Sequence, residues 1–256
     1  MTLIQPPEPV TERKLEYRIA STLGDRAAAF QLVYQSYLRS GLGSPNLYRM
    51  RVTPHQLCDS SQIFVGRLDG HVVSTVTLVG DGRMGLPMET MFDREIDAFR
   101  SEGRRVAEVS CLADRRQDPR RFLESFSQLT RLMAQFARYE GIHNLLISVH
   151  PRHARFYSRY FGFRPISDRV ASCPHVQDHP AVGLNLDFEL FDLEKPKCWH
   201  DFFGEWEPRE QLQPCRIPAA EREYLRGVAR ETCRTPGDAS ADTADHADRK
   251  DLVEAG

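Results

Sequence analysis

Residues 144–163 read NLLISVHPRHARFYSRYFGF. The first half, NLLISVH, is a short apolar run of strand length, the pattern of a buried strand. A short helix carrying Tyr157 follows, and Gly162-Phe163 turns the chain toward a last strand. Three histidines lie close by, at 143, 150 and 153. A zinc site would need them to converge, yet His143 precedes the strand, His150 ends it and His153 begins the helix. Cys198 and His200 flank a Trp with nothing to supply two further ligands. No metal is expected.

Upstream, Phe30, Val33, Tyr34, Tyr37 and Leu38 recur at helical spacing between Asp25 and Ser40, and Gly41 stops that helix. Residues 62–80, QIFVGRLDGHVVSTVTLVG, are two β-rich runs around Asp69-Gly70, a dipeptide suited to a tight hairpin. GLPMETMFDREIDAFRSEG (85–103) reads as a helix with Met88, Phe92, Ile96 and Phe99 on one face. RRVAEVSCLA (104–113) reads as a strand. Residues 122–141 form the clearest helix, with Phe122, Phe126, Leu129, Met133 and Phe136 on one stripe. AVGLNLDFELF (181–191) alternates as a final strand.

The order helix, hairpin, helix, strand, helix, strand, helix, strand predicts an α/β (α+β) domain over 15–194, with a mixed central sheet flanked by helices. Residues 1–14 read as a flexible Pro-rich lead. Residues 195–233 read as an appended C-terminal helical segment with exposed aromatics, and 234–256 as a disordered acidic tail. That tail holds six acids and three bases, so the rest of the chain carries one net positive charge against an overall −2. The near-neutral balance gives no reason to expect a nucleic-acid partner. No window reaches the length of a membrane span, and the N-terminus shows no basic-then-apolar leader, so stable membrane insertion is not expected and a cytoplasmic location is. Six cysteines without CxxC spacing, in a chain of 256 residues, read as reduced thiols.

The strand, the helix with Tyr157 and the Gly162-Phe163 pair together resemble a signature of the GCN5-related N-acyltransferase superfamily. That signature has Asn where this chain has His150, and one extra residue separates Tyr157 from Gly162. LGDRAAAFQLVYQSYLRSG, then GLPMETMFDREID…RSEGRRVAEVSCLA, then HPRHARFYSRYFGFRP narrow it. In that order they resemble the FeeM-type N-acyl amino acid synthases, relatives of the acyl-homoserine lactone synthases, over about residues 15–191. The resemblance implies the GNAT-like acyltransferase fold and a long-chain fatty acyl thioester donor, usually on an acyl carrier protein. It implies an amino acid acceptor and no cofactor beyond the thioester co-substrate.

Glu108 is a lone acid in an apolar strand. It is either a strand residue facing solvent or an arginine, or a general base that takes the acceptor's ammonium proton. The resemblance favours the base, because homoserine lactone synthases carry a Glu in the matching strand. They also carry an Arg three residues later, where this chain has Cys111. By the same resemblance, the main chain at Ser110, Cys111, Leu112 and Ala113 would hold the thioester carbonyl. Tyr157 is either a packing aromatic or the donor of a proton to the leaving thiolate. Coenzyme A enzymes of the superfamily place a glycine-rich loop before the long helix. Here ADRRQDPRRFLES (113–125) has no glycine but offers Arg115, Arg116, Arg120 and Arg121. With Arg152, Arg155 and Arg159, these suit the single phosphodiester of a phosphopantetheine arm on an acidic carrier protein; the alternative is two solvated basic faces. Arg83, with Arg39 and Arg49 as rivals, is a candidate for the acceptor's carboxylate. Met88, Met91 and Phe92, or the aromatics Trp199, Phe202, Phe203 and Trp206, would line an acyl tunnel unless they are simply core. A different N-acyl acceptor, such as a lactone precursor, and a non-catalytic carrier-protein or lipid-binding module are the competing readings.

Overall fold

The computed structural model describes residues 15–115 and 119–233, with side chains for 15–115 and 126–232. The expected lead and acidic tail lie outside those residues. In chain order the elements are β1 (Leu15–Ile19), α1 (Leu23–Arg39), β2 (Ser61–Leu68), β3 (His71–Gly80), α2 (Glu89–Ser101), β4 (Val106–Asp114), α3 (Pro119–Tyr139), β5 (Asn144–Val149), α4 (Pro151–Phe161), β6 (Arg164–Pro165), β7 (Ala171–Cys173), β8 (His179–Asp187), α5 (Phe188–Glu194), α6 (Trp199–Phe203) and α7 (Ala219–Cys233).

One sheet organises the domain, in the order β1-β2-β3-β4-β5-β8-β6, with β7 added along β8. Every pairing is antiparallel except β4 with β5. Leu145 of β5 packs into the cluster on the α3 face, while its neighbour Leu146 packs with Met88, Phe92 and Ile96 on the α2 face. That two-sided burial is why the strand reads as a nearly unbroken apolar run. The α3 stripe inserts Leu129, Leu132, Met133 and Phe136 against Phe64, Leu78 and Leu145.

The elements differ from the expectation in several places, the short strands β6 and β7 among them. An edge strand, β1, precedes the first helix and pairs with β2; only Ile19 of it belongs to the buried core, so its pattern is faint. The final strand stops at Asp187, not at 191. The Asp187 carboxylate accepts from the backbone N–H groups of Glu189 and Leu190, and this N-cap starts α5 where the apolar alternation would have continued. The helix expected over 85–103 begins at Glu89 and is broken at Phe92 (φ −133°, ψ 40°), with a turn ahead of it closed by the Glu89 N–H on the Leu86 carbonyl.

The C-terminal aromatics are not an exposed fringe. Phe202 and Phe203 are buried in the main core beside Phe188 and Phe191, and Trp206 stays half exposed. Leu225, Val228 and Ala229 of α7 pack with Ala29 and Phe30 of α1. Among the described residues no helix is long and apolar enough to cross a membrane, and the five cysteines whose side chains are described are free thiols.

Candidate active site

β4 and β5 pair only from Val106–Glu108 to Asn144–Leu146. Beyond that, β4 follows β3 to Asp114 while β5 follows β8 to Val149. The two strands therefore splay apart, and no described strand pairs with Val109–Leu112 on the β5 side. Main-chain groups there that face the wedge are free to meet a ligand, since a buried backbone polar group requires a partner.

A bulge sharpens this opening. Cys111 and Leu112 together oppose the single residue Val76 of β3, and Cys111 adopts a left-handed φ of 54°. An inserted residue resets the alternation of a strand. Val109 and Leu112 pack toward α3, whereas Cys111 and Ala113 pack against Leu32 and Val33 of α1.

The wedge opens into a cavity of about 680 Å³ lined by residues from both faces of the sheet. One lobe lies on the α3 side, lined by Phe126, Met133, Ala134, Phe191 and Phe202. The other lies on the α1–α2 side, lined by Tyr37, Arg51, Met88, Met91, Cys173 and His175. Glu108, Ser110, Cys111 and Leu112 form the β4 wall between them, and Ser148, Val149 and His150 form the β5 wall.

Glu108 is buried, and its Oε2 accepts the Met88 N–H at 2.8 Å. Burial pushes its carboxyl up to about 8; the Met88 N–H opposes the rise, and the neighbouring Glu89 charge adds to it. The turn that aims this N–H is held from three sides. Gly85 takes φ 66°, a conformation a side chain would strain, and a Cβ there would collide with the Glu89 carboxylate. That carboxylate accepts the Leu86 N–H at 2.6 Å and pairs with Arg100, which also grips Asp81 through two 2.8 Å bonds. From the β7–β8 connection, His175 Nε2 donates to the Pro87 carbonyl at 3.0 Å. The Gly-Leu-Pro segment thus fixes the hydrogen bond that orients Glu108.

On the opposite wall, the His150 ring accepts the Arg152 N–H through Nδ1 at 3.2 Å, capping α4. An Asn would satisfy the same donor from the same place, which gives the His at 150 a structural reason. Tyr157 lines the cavity on α4, edge-on to Phe156 and Phe163. Burial raises its phenol above the usual range and keeps it protonated. Gly162 ends α4 at φ 73°, with its N–H on the Tyr157 carbonyl.

The remaining sequence candidates divide. Met88 lines the cavity, but Phe92 is core and sits under the Arg169 guanidinium. Ala113 is buried against α1, one residue past the cavity wall. Arg83 is exposed on the rim of a separate shallow depression with Asp81 and Glu89, away from Glu108, and Arg39 and Arg49 are exposed outside the cavity. Arg152 is at the cavity mouth, while Arg155 and Arg159 continue its exposed stripe along α4. Among the described residues none of these three pairs with a carboxylate. Arg115 is exposed just past the end of β4. Arg116 lies outside the described residues, as do the side chains of Arg120 and Arg121.

Sequence reasoning missed Arg51, Tyr37 and His175. Arg51 follows α1 in a loop with no motif to mark it. Its guanidinium lies 4.7 Å over the Tyr37 ring, and its Nη2 donates to the His175 carbonyl at 2.6 Å.

A family model described as N-acyl amino acid synthase FeeM matches residues 28–187. Among solved structures, FeeM, an N-acyl amino acid synthase from uncultured soil microbes, is 25% identical, with a TM-score of 0.60, over 69% of this chain and 92% of its own. The AHL synthase LasI shares the fold at a TM-score of 0.53 and 13% identity, over 77% of this chain and 99% of its own. No curated protein matches significantly. The mixed sheet with its splayed central pair is the GNAT-like acyltransferase fold expected from the sequence.

Proposed function

The chain belongs to the FeeM family of N-acyl amino acid synthases, and from that premise we propose that it moves a long-chain fatty acyl group from an acyl carrier protein thioester to the amine of an amino acid. The observation that carries the reading is the buried Glu108 carboxyl beside the splayed β4–β5 wedge, between two lobes of one cavity. The acyl chain occupies the apolar α3 lobe, the acceptor occupies the α1–α2 lobe, and the thioester crosses at the wedge.

Glu108, as carboxylate, removes a proton from the acceptor's ammonium. The free amine attacks the thioester carbonyl, forming the C–N bond. Main-chain N–H groups around Ser110–Leu112 hold the oxyanion. Collapse breaks the C–S bond, Tyr157 gives the thiolate its proton, and the surplus proton on the new amide nitrogen passes to the Tyr157 phenolate, which restores the phenol. Arg152, Arg155 and Arg159 of α4, which pair with no carboxylate among the described residues, present a positive face suited to the phosphodiester of a phosphopantetheine arm and to an acidic carrier.

The test is purified protein with acyl carrier proteins of several chain lengths and a panel of amino acids, read by thiol release and product mass. An N-acyl amino acid product supports the reading. Carrier binding without thiol release under any acceptor replaces it with a non-catalytic module.

Two further results are expected. With Glu108 titrating near 8, kcat/KM rises about tenfold per unit below that pH and bends to a plateau contribution above it, as for a single essential base. A flat profile from pH 6 to 9 would remove Glu108 from the role. Tyr157→Phe keeps the ring packing and deletes the proton. It should lower kcat about tenfold, a modest factor because a thiol of pKa about 8.5 leaves tolerably unassisted. Unchanged turnover would make Tyr157 a packing residue.

A further inference from the structure

We propose that Arg51 anchors the acceptor's carboxylate, so that the acceptor is held as a zwitterion between Glu108 and Arg51. This rests on reading the cavity as an N-acyltransferase site. Four observations converge on it.

Arg51 is an incomplete ion pair. Its Nε is buried without a hydrogen-bond partner, and among the described residues no carboxylate pairs with it. A half-buried guanidinium whose Nε is enclosed without a partner can take a bound carboxylate through two parallel hydrogen bonds. The group is also preorganised, lying over the Tyr37 ring with one nitrogen on the His175 carbonyl.

Arg51 shares its lobe with the base. Arg51, Cys173 and Glu108 line the same cavity. Tyr37, over which Arg51 lies, packs against the cluster that contains Cys111 of the β4 wall. Arg51 and Glu108 therefore face one space, where an α-ammonium and an α-carboxylate can be met together.

Among the described residues the rest of the lobe holds no second acid, lysine or arginine: Ser36, Leu42, Met88, Met91 and Pro180 line it, and its two further histidines, His175 and His179, have Nε2 on the backbone carbonyls of Pro87 and Gly41. The ligand class is thus an α-amino acid with an uncharged side chain. Arg152, the other arginine on the cavity, stands on α4 at the donor side and bonds His153.

Arg51→Met, measured with leucine and with leucinamide as acceptors, tests this. Loss of a charge-assisted pair should raise KM for leucine about 30-fold while kcat stays within a few-fold. For leucinamide, which lacks the carboxylate, wild type and variant should have the same KM. Arg51→Lys should fall between them for leucine, keeping the charge and losing the fork. An equal change for both acceptors, or no change for leucine, overturns the assignment.

Calorimetric titration with uncharged amino acids, without any acyl donor, separates this proposal from the transferase reading. Binding by wild type that is lost in Arg51→Met supports the anchor even if no acyl transfer occurs. Transfer to leucine with unchanged binding in the variant sinks the anchor and leaves the transferase. Failure of every uncharged amino acid to bind wild type overturns the anchor outright.

Discussion

Glu108→Gln is expected to lose about three orders of magnitude in turnover and, above pH 8, to be more stable than the natural protein. The loss follows from deleting the only carboxylate on the described cavity lining; general-base catalysis contributes about 10²–10⁴-fold. The amide oxygen still accepts the Met88 N–H, so the geometry at the wedge is kept and the effect is chemical. The gain in stability follows from linkage. In the folded chain the carboxyl titrates near 8, against roughly 4.3 when unfolded. Between those values the native state keeps a proton that the unfolded state has released, so native stability falls as pH rises through the window and levels off above it. The total is on the order of a few kcal/mol. Glutamine carries no such proton, so the melting-temperature advantage of the variant should widen from pH 5 to pH 9. Full turnover in the variant would end the base assignment; an advantage that shrinks with rising pH would contradict the buried, raised carboxyl.

That conflict between stability and activity was legible in the sequence only in part. A lone acid in VAEVSCLA stands out because strand alternation cannot account for it, and Asp69-Gly70 marks its hairpin because left-handed backbone is required there (φ 50° and 82°). The α3 stripe declares itself through periodicity. None of these patterns reveals the wedge. The splay comes from where pairing stops on β5, and the bulge comes from a cysteine in a left-handed conformation that no local preference suggests. Arg51 is invisible for a related reason: its partners, Tyr37 and His175, lie 14 and 124 residues away along the chain. The Gly-Leu-Pro segment is the intermediate case. Its spelling carries the family resemblance, but its use, aiming one N–H at Glu108, appears only when α2 meets β4.

The α3 lobe gives the second large effect, a change of chain-length preference in Ala134→Phe. Ala134 is buried on α3 and lines the cavity among Phe126, Met133, Phe191 and Phe202. On the proposed function, each methylene that finds room there adds about 0.8 kcal/mol, close to fourfold in affinity. A benzyl ring at 134 projects into the lobe and takes the room of about four methylenes, which should lower kcat/KM for a palmitoyl donor relative to a butyryl donor on the order of 100-fold. Overpacking can cost roughly 1–3 kcal/mol of stability, so the butyryl donor serves as the internal control. A folded variant turns over the short chain at near the natural rate, because the short chain ends before the obstruction and Glu108 lies on β4 away from it. If palmitoyl and butyryl donors declined together, the substitution would have damaged the wedge and Ala134 would not be a chain-length wall. If neither declined, the acyl chain would have to run elsewhere, and assigning the α3 lobe to the donor would be wrong while the acceptor assignment on the α1–α2 side would stand on its own evidence.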